Sequence, residues 1–157
     1  MVQVTELRCA IEYRADDERR GPGRLRGVLL TYGEPRADRR EVFRAGALEW
    51  PDDGIVLRRQ HSRFEPVARV LPEVRGAQVV LDVALPDTRA GRDAAAEVRG
   101  GLFRGLSVEF NAQDEGRTAG GLREIRRALL VGAGLVDSPA YTGSTVEVRG
   151  RRRRIWL

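Results

Sequence analysis

Short alternating stretches of apolar and polar residues dominate this chain, and most have the two-residue period of a half-buried β-strand. VQVTELRCAIEY alternates in this way. After the charged loop RADDERRGPG, the run LRGVLLTYG does so more strongly. EVFRAGALEW reads as a strand end leading into a brief helical turn, closed by PDDG. IVLRRQHS, PVARVLPEV and AQVVLDVALP give three further strands at close spacing. DTRAGRDAAAEVRGG breaks the pattern and predicts the one main helix. Asp87 or Thr88 can cap its start, AAAEV consists of good helix formers, and Gly100-Gly101 can end it. LFRGLSVEFNA, LREIRRALLVGAGLV and STVEVR return to strand character, with a glycine-containing turn between the first two near Gly116 to Gly121. Many strands with a single helix predict an α+β fold, mainly an antiparallel, curled and barrel-like sheet.

A length of 157 residues suits one domain, and the sequence contains no internal repeat. Residues 1–149 are expected to form that domain and 150–157 a basic tail, since GRRRRIWL is the one low-complexity segment. Removing its four consecutive arginines lowers the formal charge from +5 to +1, so basicity is largely a tail property. No apolar run approaches the roughly 20 residues that span a bilayer. MVQVTELRCA has no signal-peptide pattern. The expectation is a cytoplasmic protein with no membrane partner. All 28 basic residues are arginine, which rules out a Ser-Lys dyad or a Schiff-base lysine. With Cys9 and His61 each alone, a zinc site built from such ligands cannot form within one chain. No cofactor and no metal are expected.

Any imidazole chemistry must therefore run through His61. Candidate nucleophiles narrow to four serines. Ser62 adjoins the histidine and on a strand would face the other way. Ser138 precedes Pro139 in a turn-like VDSPAY, and Ser144 begins the last strand. Ser107 lies within the apolar strand LSVEF, where a hydroxyl either satisfies backbone or serves chemistry. On local pattern alone, both Ser107 and His61 are also read as satisfied structural residues.

Four segments change that weighing: RGVLLTYGEPRADRREVFRAGAL with Gly46-Ala47, IVLRRQHSRFEPVARV with His61, VRGGLFRGLSVEF with Gly105-Leu106-Ser107, and LVGAGLVDSPAYTGSTV with Leu135, Val136, Pro139 and Ala140. In order and spacing they resemble the tailed-phage prohead proteases, capsid-maturation serine proteases related in fold to herpesvirus assemblin. The resemblance spans about residues 25 to 149. It implies that His61 is the general base and Ser107 the nucleophile on a peptide carbonyl, because a serine hydroxyl attacks poorly until a neighbouring base takes its proton. It also implies scaffold and major capsid protein segments as substrates, self-association, and action inside an assembling procapsid in the host cytoplasm.

The third member departs from the family. Many relatives place an acid where this chain has Gly132, and a second histidine is ruled out by composition. Glu109 is preferred as the replacement, since it follows Ser107 by two residues and shares its strand face. Asp137, just past the following strand, is the alternative. If neither serves, the protein is a weak or inactive protease-fold component of the virion with a structural role. Arg126 and Arg127 could line an oxyanion hole, but two strand arginines more simply form a solvated face. The tail arginines Arg151, Arg152, Arg153 and Arg154 can contact an acidic protein segment or nucleic acid.

Overall fold

The two-residue period becomes a sequence of twelve strands and one helix in a computed structural model describing residues 3–5, 11–14, 21–36, 40–137 and 147–149. The strands are β1 (Gln3–Thr5), β2 (Ile11–Arg14), β3 (Arg24–Thr31), β4 (Glu41–Phe43), β5 (Leu48–Glu49), β6 (Ile55–Arg59), β7 (Pro66–Val70), β8 (Glu73–Arg75) and β9 (Gln78–Ala84). Helix α1 (Arg89–Arg99) follows, then β10 (Gly105–Arg117), β11 (Arg123–Val136) and β12 (Glu147–Arg149). The α+β expectation holds. The barrel-like one is not confirmed: among the described residues the strands form two sheets, ordered β1-β10-β11-β6-β7 and β12-β2-β3-β9-β8, that do not close into a barrel. Cys9, Ser138, Pro139, Ala140, Ser144 and the Arg151–Arg154 tail lie outside the described residues.

Several predicted strands divide. VQVTELRCAIEY contributes β1 to one sheet and β2 to the other. PVARVLPEV splits into β7 and β8 around Leu71-Pro72, where the proline has no N–H for a ladder. EVFRAGALEW contains no helical turn: Ala47 N–H bonds Arg44 C=O at 3.0 Å in a tight turn, and β5 follows.

Core packing decides this arrangement. β10 and β11 form a long antiparallel hairpin whose inward row includes Leu106, Val108, Ala133 and Leu135, all fully buried. Phe43 from β4 meets Phe110 edge-to-face, with centroids 5.0 Å apart. Helix α1 covers one side of this core with Ala94, Ala95 and Val98. Thr88 caps it by accepting from Gly91 N–H at 3.1 Å. Its end is a Schellman motif: Gly101 N–H reaches Val98 C=O, Leu102 N–H reaches Glu97 C=O, and Gly101 has a left-handed φ of 76°.

What positions the site is the other flank of β11. Segments β4, β5 and β6 run parallel to it in succession, with Glu41 opposite Arg123, Leu48 opposite Ala128 and Val56 opposite Gly132. The chain thus follows β11 to its far end. There Gln60 N–H bonds Leu135 C=O at 2.9 Å, and the next residue is His61.

Candidate active site

His61 does not sit in a strand. It follows β6 in a tight turn, with φ of 48° at Gln60 and 60° at His61. Consecutive left-handed non-glycine residues cost on the order of 1–3 kcal/mol each and persist only when surrounding contacts hold them. Here the contacts are specific. Ser62 N–H bonds Arg59 C=O, Glu65 N–H bonds Ser62 C=O, and Arg59 N–H bonds Glu65 C=O. Ser62, whose hydroxyl accepts from Phe64 N–H at 3.3 Å, is a turn residue and not a strand neighbour.

Arg59 ties this turn to the rest of the molecule. Its guanidinium engages both oxygens of Glu97 on α1 and Glu65 Oε1 at 2.8 Å, and it lies 6.0 Å from the centre of the Phe103 ring. Both partners of the Arg59–Glu97 pair are mostly buried, so truncating either leaves the other poorly satisfied. Arg59→Ala and Glu97→Ala are each expected to lose about 1–3 kcal/mol of stability. A double-mutant cycle by thermal unfolding should return a coupling of about 0.5–3 kcal/mol. Additive losses would show that the clamp is not a unit.

On β10 and β11, alternation sorts the side chains. Val108, Ala133 and Leu57 point to the core from three adjacent strands, so Ser107, Gly134 and Arg58 share the opposite face. Glu109, Gly132 and Val56 form the next row on that face. Strand β11 lies between β10 and β6, which are therefore about 10 Å apart. Side chains from the two flanking strands can meet only by crossing over β11. They do so over glycine. A Cβ on Gly134 would lie 2.8 Å from His61 Cε1 and Nδ1 and 3.0 Å from Nε2. A Cβ on Gly132 would collide with Glu109 Oε2 and stand 2.8 Å from Arg58 Nη1.

The meeting point is a hydrogen-bonded chain through one carboxylate. His61 Nδ1 is 2.7 Å from Glu109 Oε1, and Arg58 Nη1 is 3.4 Å from Glu109 Oε2. Glu109 is 9% exposed, against the usual preference of carboxylates for solvent, and these two contacts are its compensation. A carboxylate only accepts hydrogen bonds, so Nδ1 is the donor in this contact, and in the neutral ring Nε2 carries the lone pair. Nε2 is buried and has no hydrogen-bond partner among the described residues. Ser107 is the cross-strand partner of Gly134 and is fully buried on the face where the ring lies. Opposed Cβ positions in such a pair are about 4.5–5.5 Å apart, so Ser107 stands directly across from the glycine over which the imidazole lies.

Of the other candidates, Asp137 is exposed beyond the end of β11. Arg126 pairs with Glu124, and Arg127 lies opposite Asp114 in the distal half of the hairpin, away from the His61 ring. Arg58, Arg59, Glu97 and Gly134 were not singled out from sequence. The available signal was the Gly132-Ala133-Gly134 spacing within a strand, which marks a close approach by another group.

The bacteriophage T4 capsid assembly protease, gp21, superposes with a TM-score of 0.62 at 15% identity, covering 88% of this chain and 98% of that one. At that identity the likeness concerns the fold. The profile of the caudovirus prohead serine proteases matches residues 11–155, and the chain belongs to that family. Among curated proteins none matches.

Proposed function

We propose that this protein is a serine endopeptidase that cleaves scaffold or capsid-protein segments during procapsid maturation. Ser107 is the nucleophile, His61 the general base and Glu109 the acid that orients it. The observation that carries this reading is the 2.7 Å contact between His61 Nδ1 and Glu109, with the ring seated over the glycine opposite Ser107. With Nδ1–H held by the carboxylate, Nε2 is the atom that accepts the Ser107 hydroxyl proton as Oγ attacks the peptide carbonyl. The same proton then passes to the leaving amine, giving an acyl-enzyme. Water, deprotonated by Nε2, hydrolyses the ester and returns Ser107 and His61 to their starting state.

The complete burial of Ser107 favours a second reading, an inert protease-fold component used for assembly. Prolonged incubation with a fluorophosphonate, followed by peptide mapping, separates the two. The protease reading predicts an adduct on Ser107 that disappears in His61→Ala. No adduct, or one on another serine, favours the inert reading.

A further inference from the structure

We propose that Arg58 is a positioning residue of this site: its guanidinium holds the Glu109 carboxylate in the orientation that fixes the Nδ1–H tautomer of His61. The inference rests on the reading of His61 as the base, and its main readout does not require activity.

The argument is geometric. A carboxylate held by one hydrogen bond can rotate about its terminal torsion, because such sp³–sp² torsions are broad. Glu109 is held at both ends, with Oε1 toward His61 Nδ1 and Oε2 toward Arg58 Nη1. Arg58 is in turn constrained, since Nη1 also reaches Val56 C=O on its own strand at 3.5 Å. That contact folds the guanidinium back toward the row containing Glu109 and Gly132. The space both groups enter is the one that a Cβ on Gly132 would fill. One short segment, Arg58 to His61, therefore supplies both the imidazole and the cation that aims its acid. If Arg58 lost its charge, Glu109 Oε2 would be left mostly buried without its ion-pair partner. The carboxylate would then turn toward solvent and release Nδ1.

Because the chain has one histidine, its imidazole nitrogens are read without assignment ambiguity. Nitrogen-15 labelling of histidine, with two-bond proton–nitrogen correlation spectra, distinguishes Nδ1–H from Nε2–H. The wild type is expected as the Nδ1–H form. Arg58→Met should show mixed tautomers, with kcat lower by about 10–100-fold and KM within about twofold, the loss that removing a partner which orients a metal-ligating histidine causes. Arg58→Lys should restore most of both. If Arg58→Met does not fold, Arg58→Gln, which keeps length and polarity without charge, takes its place with the same expectation. A pure Nδ1–H tautomer in a folded neutral variant overturns the proposal whatever the activity, and so does a lysine variant no better than methionine. A wild-type chain that cleaves nothing counts against the protease reading, while the tautomer comparison still decides the role of Arg58.

Discussion

Replacing Gly134 with alanine is expected to abolish most proteolysis while the chain still folds, with a stability loss of about 1–3 kcal/mol from the Glu109 carboxylate that loses its partner. The added Cβ would lie 2.8 to 3.0 Å from three atoms of the His61 ring, well inside the 3.5–4.0 Å at which carbon atoms pack favourably. Backbone on both sides of Gly134 is fixed by its pairing with Ser107 and Arg58, so the ring must give way. A displacement of about 1 Å at a reacting group costs on the order of 10²-fold in rate. The ring would also be pushed off Glu109, so the loss should be at least that large. Stability has an opposing contribution, because alanine restricts the unfolded chain and is worth about 0.4–1 kcal/mol where the backbone permits it. Steady-state cleavage together with thermal unfolding tests this. Activity close to wild type would mean that the ring is not committed to its place over Gly134.

The second large effect concerns the carboxylate and where it can come from. Glu109→Ala should lower kcat by about 10³–10⁴-fold, since losing the orienting acid of a serine protease costs about 10⁴. Position 132 faces the same point from the next strand: its Cβ direction runs into Glu109 Oε2. An aspartate there enters the space that Glu109 vacates. Gly132→Asp alone should therefore be damaging, since it displaces Glu109 and crowds two carboxylates. In the Glu109→Ala background it should recover part of the lost rate, about tenfold or more if the new hydrogen bond to Nδ1 contributes at least about 1.4 kcal/mol in the transition state. This reversal of sign between backgrounds is the diagnostic result. Damage in both backgrounds would show that the two positions do not supply one acid site.

That pair of positions also shows how far the sequence could be read. The strand of Ser107 and Glu109, and the face they share, were legible because alternation is a local property that survives into the sheet. Thr88 and Gly101 were legible for the same reason, since caps are satisfied by residues within a turn or two. Gly132 was read only as a missing acid. A sequence shows what a glycine cannot do, but not which side chain from another strand uses the space it leaves. The parallel track of β4, β5 and β6 along β11 was hidden as well, because pairing is set by packing between segments far apart in the chain. The split of PVARVLPEV between two sheets has the same origin, although Pro72 offered a hint. His61 lay in what read as a strand because IVLRR alternates up to it. The left-handed turn that ends this alternation depends on bonds to Leu135 and on the Arg59–Glu97 clamp, which no local pattern encodes.

Co-expressing the protein with candidate capsid and scaffold substrates, and mapping new termini by mass spectrometry, tests the central claim most directly. The wild type is expected to generate defined internal cleavages that are absent with Ser107→Ala and with His61→Ala. The same cleavages in all three, or none with the wild-type chain, would contradict a protease whose chemistry runs through Ser107 and His61.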